Sequence, residues 1–354
     1  MTTRNASVLV IGAGVVGLMS AYALAKKGVW VDLVDAGDGG AESSWAGGGI
    51  VCPVPPWKHG VAVEAGVRHS RDLFAAWLPE IEALSGVACE YWASGLLLSG
   101  DPSEHDFVAM SAAWRVHTSE RVMLGQRRDF DARLPHGDWP AVLLPEVPQI
   151  RNPRLVQALM AANRVLGVGI HTQCPVDRLD QQRDGRMAAW RGTQRIWTGE
   201  RVVLAAGAWS DQILAASGLA PLSVSPARGQ MLLYRLAPDQ APDHIINTGQ
   251  GYLIPRLDGH ILAGSTIEYV GFDTDPTEAA ANKISDMAVA TWPKLKGAPV
   301  IDHWTGLRPS YASDEPAVGC LYPDWPGLWV NTGHFRNGLG LAPACAERTA
   351  EALG

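Results

Sequence analysis

A glycine-rich turn close to the start of the chain constrains its fold more than any other feature. The apolar run Val8–Ile11 is predicted to be a buried strand and leads directly into a GxGxxG motif at 12–17. A helix is predicted over 18–27 and a second strand over 29–34, with Asp35 immediately after it. A strand, this motif, a helix and an acid about 20 residues further on are together typical of a dinucleotide-binding βαβ unit.

Each residue of this unit has its own physical task. Gly12 permits the tight turn, Gly14 has no Cβ to keep a pyrophosphate from the backbone, and Gly17 lets the helix pack closely on the strand. The helix N-terminus offers free N–H groups and the positive end of its dipole to the pyrophosphate. Asp35 is placed to accept hydrogen bonds from a ribose. We therefore predict that the chain binds a dinucleotide at this turn.

A second loop indicates which dinucleotide is bound. After its second strand the chain runs into the small-residue sequence SSWAGGG at 43–49. Such a loop can lay its backbone against a flat ring system while the serines reach a diphosphate, although a flexible surface turn would have the same composition. Together with the glycine motif, this loop favours FAD over a nicotinamide dinucleotide. Because no second GxGxxG motif follows, the substrate itself is the expected reductant.

Composition argues against several other classes of protein. The 354 residues are 47% hydrophobic and 18% charged, which predicts a folded globular chain of two domains. The net charge of −7 argues against a nucleic acid as the main partner. No apolar run approaches the roughly 20 residues of a membrane span, and the first strand begins too early for a signal peptide. Five cysteines without a CxxC pair predict reduced thiols in a cytoplasmic protein, and the histidines show no metal-ligand spacing.

The remaining patterns predict an α/β chain with a discontinuous domain. We expect a Rossmann-like FAD-binding domain with an inserted, mainly antiparallel α+β substrate domain. The FAD-binding domain is assigned to 1–89, 146–227 and 300–354, and the substrate domain to 90–145 and 228–299. The elements predicted from periodicity and capping are helices over 61–85, 152–166 (with Asn152 as N-cap), 278–295 and 342–353, and strands over 230–234, 251–255, 260–264 and 327–331.

The motifs of this chain, in their order, resemble those of the D-amino-acid-oxidase superfamily of FAD-dependent amine oxidoreductases. The resemblance covers essentially the whole chain. It rests on the glycine motif with Asp35, the 43–49 loop, Asn152-Pro153, Ala206-Gly207-Ala208-Trp209-Ser210, Arg228-Gly229-Gln230, Gly306-Leu307-Arg308-Pro309 and Gly333-His334-Phe335-Arg336-Asn337-Gly338. Where this chain has aspartate at position 35 the family often has glutamate, and either carboxylate can reach a ribose.

The resemblance implies a set of residues that contact FAD along its whole length. They are Gly12, Gly14, Val15, Val16, Gly17, Asp35, Ala36, Ser43, Ser44, Gly48, Gly49, Ile50, Val176, Gly207, His334, Phe335, Arg336, Asn337, Gly338, Leu339 and Gly340. Sarcosine oxidases of this superfamily tether the flavin through a cysteine close to the place of 306–309, where this chain has none. We therefore expect FAD to be bound non-covalently.

On the substrate side the resemblance implies four residues. Arg308 would bind a carboxylate, Tyr252 would hydrogen-bond the same group, Ile267 would line a small pocket and Arg336 would lie near the reacting end. Three of them have simpler alternatives. Arg308 could pair with a buried acid, Tyr252 could pack in its sheet, and Arg336 could bridge backbone carbonyls of its own loop.

The implied reaction is the oxidation of glycine and other small amines, such as sarcosine and D-alanine. The α-hydrogen leaves as hydride to the flavin, the imine hydrolyses to a keto acid and ammonia, and dioxygen is reduced to hydrogen peroxide. Glycine would give glyoxylate, and its imine is further implied to feed thiazole formation in thiamine synthesis. No strong protein base is required, because orientation against the flavin is the main demand. We also expect a homo-oligomer.

Three alternatives stay open. The same fold could prefer sarcosine or a D-amino acid, and could act as a dehydrogenase rather than an oxidase. It could modify a base of tRNA, against which the net charge of −7 argues. The chain could also be a flavin-binding module without catalytic activity.

Overall fold

A computed structural model describes residues 7–100 and 105–354. Its α-helices are α1 (Val15–Lys26), α2 (Ser43–Ala46), α3 (Val61–Ser85), α4 (His105–His117), α5 (Arg127–Phe130), α6 (Asn152–Val165), α7 (Ser210–Ala216), α8 (Glu278–Thr291) and α9 (Gly338–Leu353). None of these described helices is both long and apolar enough to cross a lipid bilayer.

The strands run through the whole described chain. They are β1 (Val8–Ile11), β2 (Val31–Val34), β3 (Trp92–Ala93), β4 (Leu96–Ser99), β5 (Met123–Gln126), β6 (Pro140–Leu144), β7 (Pro148–Gln149), β8 (Gly169–His171), β9 (Arg178–Gln181), β10 (Met187–Arg191), β11 (Gln194–Gly199), β12 (Arg201–Leu204), β13 (Ser225–Arg235), β14 (Ile245–Asn247), β15 (Tyr252–Pro255), β16 (His260–Gly264), β17 (Val300–Ser310), β18 (Ala317–Gly319) and β19 (Leu328–Thr332).

The first strand lies inside a six-stranded sheet. Its order is β18-β19-β12-β1-β2-β8, and its pairings are parallel except that of β18 with β19. Every residue of β1 and β2 is buried, as expected for parallel strands that are covered on both faces. Helices α1, α3, α6 and α9 pack on one face, and α7 with the three-stranded sheet β11-β10-β9 covers the other. The predicted Rossmann-like arrangement is confirmed.

The second large sheet is mainly antiparallel. Its eight strands follow the order β17-β13-β16-β15-β14-β4-β6-β5, and the pairing of β4 with β14 is parallel. Strands β13 and β17 pair from Ser225 opposite Ser310 to Tyr234 opposite Val300. Helix α8 packs on this sheet, and Trp292, just beyond its end, is buried there. The inserted α+β portion is therefore present as predicted.

One strand lies in a different sheet from the one that we expected. The domain division assigns Val300–Ser310 to the FAD-binding domain, but this strand pairs with β13 and belongs to the eight-stranded sheet. A strand's own pattern of apolar residues does not specify its neighbour, so the periodicity could not distinguish the two sheets. The other boundaries of the division stay predictions.

Several helix boundaries also differ from the predicted ones, among them those of α6, α8 and α9. Asn152 is the first residue of α6 rather than its N-cap, and its side-chain amide donates to the carbonyl of Ser44 at 2.8 Å. Helix α8 ends at Thr291, because Pro293 cannot continue an α-helix, and a 3-10 turn follows. Helix α9 begins already at Gly338, which brings its N-terminus to the glycine-rich segment before it.

Candidate active site

A cavity of about 650 Å³ lies between the two large sheets. On one side it is lined at the carboxyl ends of the parallel strands, for example by Ile11, Val34 and Thr332. On the other side it is lined by Tyr252 and Arg308, which lie on β15 and β17 of the second sheet. The carboxyl edge of an open parallel sheet is the usual ligand site in such folds, so this cavity is the candidate active site.

The glycine turn at the N-terminus of α1 is built for close contact. Gly12 has a φ of +101°, and a Cβ there would lie 2.4 Å from the carbonyl oxygen of Ala205. A Cβ on Gly17 would lie 1.9 Å from the carbonyl oxygen of Gly12, so helix and strand touch through this glycine. Gly14, the N-cap residue of α1, has no side chain to cap the first turn, and the first helical N–H, that of Val15, donates to the hydroxyl of Ser44. The turn therefore leaves donors and space for an anionic ligand.

The carboxylate of Asp35 closes the nucleotide end of the cavity. One of its oxygens accepts the N–H of Ala13 at 2.6 Å, and the other accepts the N–H of Gly37 at 2.8 Å. Each carboxylate oxygen has a second lone pair, which stays available for a ribose hydroxyl. Asp35 and Ala36 both line the cavity, as predicted from their position after β2.

The serine-glycine loop forms the wall between the two ends. Its serines open the short helix α2, and the hydroxyl of Ser44 accepts the N–H of Val15 at 2.9 Å. Gly48, Gly49 and Ile50 line the cavity. Gly49 has a φ of +83°, and its Cβ would lie 2.0 Å from the carbonyl oxygen of Ile150. The loop is packed against its neighbours, which a flexible surface turn would not be.

A buried arginine that the sequence analysis did not select supports this loop. Arg256 is 5% exposed, and its guanidinium donates to the carbonyl of Gly48 at 3.0 Å, to the side chain of Gln149 at 2.6 Å and to the carbonyl of Ile150 at 3.1 Å. Burial lowers the pKa of Arg256 to about 10, so it carries its charge at neutral pH. Arg256 therefore fixes the loop from behind, away from the cavity.

The segment before α9 lines the far end of the cavity. His334, Phe335, Arg336, Asn337, Gly338 and Leu339 all contribute to the lining. The imidazole of His334 is buried, and its Nε2 has no hydrogen-bond partner among the described residues. Burial lowers its pKa to about 4, which keeps the ring neutral. The N-terminus of α9 lies in this wall, and its positive dipole end favours an electron-rich ring there.

The substrate end contains two arginines and a tyrosine. The guanidinium of Arg308 donates to the hydroxyl of Ser265 at 2.8 Å and to the carbonyl of Thr266 at 3.1 Å. No carboxylate of the described residues forms an ion pair with it, which argues against the buried-acid alternative. The hydroxyl of Tyr252 reaches the cavity and lies 3.3 Å from the sulfur of Met231. Burial and the nearby charge of Arg308 lower the pKa of Arg336.

Most predicted site residues come together in this one cavity. Gly17, Gly340 and Ile267 are the exceptions, because they do not line it. Gly17 acts through helix packing, a Cβ on Gly340 would meet Val67 of α3 at 3.2 Å, and Ile267 is 46% exposed on the segment after β16. The role of Ile267 in a substrate pocket stays a prediction.

The cavity also has lining residues that the sequence analysis did not select. No local motif marks them, because they come from distant segments that the fold brings together. They include Glu42, Cys52, Cys174, Ser265 and Thr332. Among the residues that the structure describes, no group of three or more His, Cys, Asp or Glu is arranged to hold a metal ion.

The site fits an FAD molecule on several independent grounds. The glycine turn before α1 has glycines without room for a Cβ. The N-termini of α1 and α9 face the cavity. Two residues that line the cavity, His334 and Asn152, each have a buried atom (Nε2 and Oδ1) without a hydrogen-bond partner among the described residues. Fold and site together define a flavin-dependent oxidoreductase.

Comparison with known proteins gives the family. Residues 7–352 match the family model described as FAD dependent oxidoreductase, DAO, and the chain belongs to this family. Its cofactor is therefore FAD. The chain is 39% identical over 341 residues to the glycine oxidase of Pseudomonas putida, which covers 96% of this chain and 92% of that protein.

Two further relatives extend the comparison. The chain is 30% identical over 354 residues to a bifunctional protein ThiO/ThiG of Nostoc, with 98% of this chain and 52% of that protein covered. The crystal structure of glycine oxidase from Geobacillus kaustophilus superposes with a TM-score of 0.93 at 24% identity, over 99% of this chain and 95% of that one. This structural likeness shows that the fold is shared.

Proposed function

We propose that this protein oxidises glycine and other small amines, such as sarcosine and D-alanine, with dioxygen as the final electron acceptor. The observation that carries the proposal is the guanidinium of Arg308, which faces the cavity and donates only to neutral oxygens of the described residues. A cation without an acidic partner is complementary to the carboxylate of an amino acid. The likeness to the glycine oxidase of Pseudomonas putida supports glycine as the substrate.

The side chains of the site act by binding and orienting the amino acid. The planar guanidinium of Arg308 can hold both oxygens of the carboxylate, which sets direction as well as distance. The hydroxyl of Tyr252 donates to the same group, and Arg336 adds positive charge beside it. Bound FAD supplies the hydride acceptor. The carboxylates that line the cavity are Asp35, Asp38, Glu42 and Asp177, at the nucleotide end, so none of them is positioned as a base for the substrate.

The residues that would hold the cofactor follow the cavity wall. We assign the pyrophosphate to the α1 turn and Ser44, the ribose to Asp35, and the flavin ring to the Gly48–Gly49 backbone and the segment from His334 to Leu339. This assignment is supported by the lining of the cavity, by the buried His334 and by the N-terminus of α9.

The products follow from the chemistry of an imine. Hydrolysis of the imine of glycine gives glyoxylate and ammonia, and the electrons reduce dioxygen to hydrogen peroxide. We propose in addition that this imine feeds thiazole formation in thiamine synthesis. The likeness to the bifunctional ThiO/ThiG protein of Nostoc supports that role.

A substrate panel tests the proposed function. The FAD-loaded protein is mixed with glycine, sarcosine, D-alanine, D-proline and D-phenylalanine, and peroxide release is measured. We expect glycine and its small analogues to react and D-phenylalanine to react poorly. Because an added methylene changes discrimination by only about 1–3 kcal/mol, sarcosine and D-alanine should stay appreciable substrates. Faster oxidation of D-phenylalanine than of glycine would contradict the proposed substrate.

Anaerobic mixing separates the alternatives. If amines bleach the flavin but no peroxide forms in air, the protein is a dehydrogenase. If no amine bleaches it, the protein is a flavin-binding module without this activity. A shift of tRNA in a native gel would instead favour the nucleic-acid alternative.

We propose that FAD is bound without a covalent link. Cys52 and Cys174 line the cavity, but burial raises the pKa of Cys52 to about 12 and also raises that of Cys174. Neither thiol is therefore activated as a thiolate. Acid precipitation of the protein should leave a colourless pellet and a yellow supernatant. A pellet that stays yellow would contradict non-covalent binding.

The oligomeric state and the cellular location stay predictions. We propose a homo-oligomer in the cytoplasm, on the resemblance to the family and on the scattered, unpaired cysteines of the sequence. Light scattering on the purified protein and fractionation of the source cells test the two statements separately.

A further inference from the structure

The motif Arg228-Gly229-Gln230 has no part in the proposed reaction so far. It lies on β13, directly beside the strand that carries Arg308. Alternate residues of a strand point to opposite faces, so Gly229 faces one side while Arg228 and Gln230 face the other. Each face of this strand has contacts that bear on the position of Arg308.

On the cavity side, Gly229 forms a floor for the guanidinium. In the β13–β17 register Ala227 lies opposite Arg308, and Gly229 lies opposite Gly306. The Arg308 side chain therefore passes diagonally over Gly229. A Cβ on Gly229 would lie 2.1 to 2.4 Å from the Nη1, Nη2 and Cζ atoms of Arg308. Only glycine leaves room for the guanidinium in this position.

On the opposite side, Arg228 anchors the segment that follows β16. Arg228 is 4% exposed, and its guanidinium donates to Glu268 at 2.8 Å, to Asp273 at 2.7 Å and to the carbonyl of Asp275 at 2.9 Å. Its backbone forms a two-way bridge with the backbone of Glu268, at 2.8 and 2.9 Å. The segment is thereby held at several points along its length.

Gln230 holds the same segment at both of its ends. Its backbone N–H donates to the hydroxyl of Thr266 at 3.0 Å, and its side chain donates to Glu268 at 3.1 Å and accepts the N–H of Thr277 at 2.9 Å. Thr266 is one of the two residues whose oxygens accept hydrogen bonds from Arg308. The fixation of this segment is therefore transmitted to the guanidinium.

We infer that Arg228-Gly229-Gln230 is a positioning unit for Arg308 and so determines how tightly the substrate carboxylate is held. This inference rests on the proposed function of Arg308. Gly229 supplies the surface on which the guanidinium lies, and its two neighbours hold the segment that contains Thr266, whose carbonyl accepts a hydrogen bond from the guanidinium. None of the three residues lines the cavity, so all of them act through Arg308.

The test is a double-mutant cycle on the FAD-loaded protein. Gly229→Ala is made in the natural background and in Arg308→Ala. The matched control is Gly125→Ala, which lies on β5 at the other edge of the same sheet, where a Cβ would meet only side chains, the carboxylate of Asp129 at 2.8 Å and the ring of Phe130 at 3.3 Å. Three quantities are measured for each variant: the Kd of acetate, from its perturbation of the flavin absorbance, and kcat and KM for glycine.

We expect Gly229→Ala to weaken acetate binding and glycine kcat/KM by about 100-fold, mainly through Kd and KM. In the Arg308→Ala background the same change should have almost no effect, because the guanidinium that it displaces is gone. The control should match the natural protein, and the FAD Kd should be unchanged throughout. Equal losses in both backgrounds, or loss of FAD, would overturn the inference.

A second variant tests the other face of the motif. Glu268→Gln removes the charge that pairs with Arg228, and we expect about a tenfold rise in KM and in the Kd of acetate at nearly constant kcat. If Gly229→Ala does not fold, this variant decides, and unchanged acetate binding would overturn the inference. If the natural protein binds acetate but does not oxidise glycine, the proposed function fails while the inference is still tested by the acetate series. If it does not bind acetate, the inference fails with the assignment of Arg308.

Discussion

The nucleotide end of the cavity is made chiefly of backbone, whereas the substrate end is made of side chains. At the first end, glycines and the N-terminus of α1 leave N–H groups and space, and Asp35 is itself held by two backbone N–H groups. At the second end, the side chains of Arg308, Arg336 and Tyr252 line the cavity. The difference predicts opposite sensitivities: the first end should respond to added Cβ atoms, and the second to the loss of functional groups.

The largest effect should come from the substrate end. Arg308→Ala removes the cation that is proposed to orient the carboxylate. The transition-state stabilisation derived from kcat/KM for glycine should fall by about 2–5 kcal/mol, the range for truncating one partner of a buried charge pair. Arg308→Lys should recover only part of this, because an ammonium cannot hold both oxygens in one plane. Steady-state kinetics check both variants.

The comparison requires that the same variants keep their cofactor. FAD should stay bound to Arg308→Ala, since the nucleotide contacts lie at the other end. Arg235→Ala, on an exposed residue at the end of β13, is the matched control and should have normal kinetics. Near-normal glycine oxidation by Arg308→Ala, or loss of its flavin, would show that this arginine is structural.

The next largest effect should come from the backbone of the serine-glycine loop. Gly49 has a φ of +83°, and in Gly49→Ala the added Cβ would lie 2.0 Å from a backbone oxygen. The free energy of FAD binding should therefore weaken by up to about 3 kcal/mol. Gly28→Ala is a close control, because its φ is +81° but no atom lies within 4 Å of the added Cβ. Fluorescence titration of the apoprotein with FAD measures both. Equal FAD affinity in the two variants would contradict the assigned contact.

A smaller effect should follow from removing the support behind the loop. Arg256→Met leaves the carbonyls of Gly48 and Ile150 and the side chain of Gln149 without their donor. The change should lower the free energy of unfolding by about 2 kcal/mol and weaken the binding of FAD. Arg151→Met removes an outer ion pair with Glu90 and Asp258 and should cost less than about 1 kcal/mol. Denaturant unfolding of the two variants checks the order, and the reverse order would contradict it.

The smallest effect should be a pH dependence of folding stability that comes from His334. The pKa of His334 is lowered to about 4, so the unfolded chain binds a proton below about pH 6.5 that the folded chain does not. Folding stability should therefore fall as the pH is lowered from about 6.5 towards 4, by something on the order of 1 kcal/mol at pH 5.5. His334→Gln should remove this part of the pH dependence when melting temperatures are measured between about pH 4 and 6.5. Identical slopes for both proteins would contradict the buried neutral imidazole.

The same contrast explains what the sequence could predict. The spacing of Gly12, Gly17 and Asp35 is local, and the backbone geometry that it requires is nearly independent of the rest of the chain, so the nucleotide end was predictable. The support of Arg256 behind Gly48 joins residues more than 200 positions apart and has no local pattern. The exposure of Ile267 also has no local pattern, because its direction depends on how the segment after β16 is anchored.

The membership of β17 in the second sheet was not predictable either. The Arg308 segment was selected from its resemblance to a family motif, but its pairing with β13 depends on which neighbour the strand meets. The floor that Gly229 provides follows from that register alone. The pattern therefore selected candidate residues at the substrate end, and tertiary structure was needed to say what holds them.

The cavity joins the two extremes of the chain, and this has a consequence for biosynthesis. The turn at Gly12 and the segment at His334 both line it, although more than 300 residues separate them. A ribosome releases the second long after the first, so the complete wall exists only once the segment at His334 has emerged. Contacts of such long range are slow to form. We therefore expect a nascent chain that stalls before β19 to have no high affinity for FAD, which makes acquisition of the vitamin-derived group a late step of maturation.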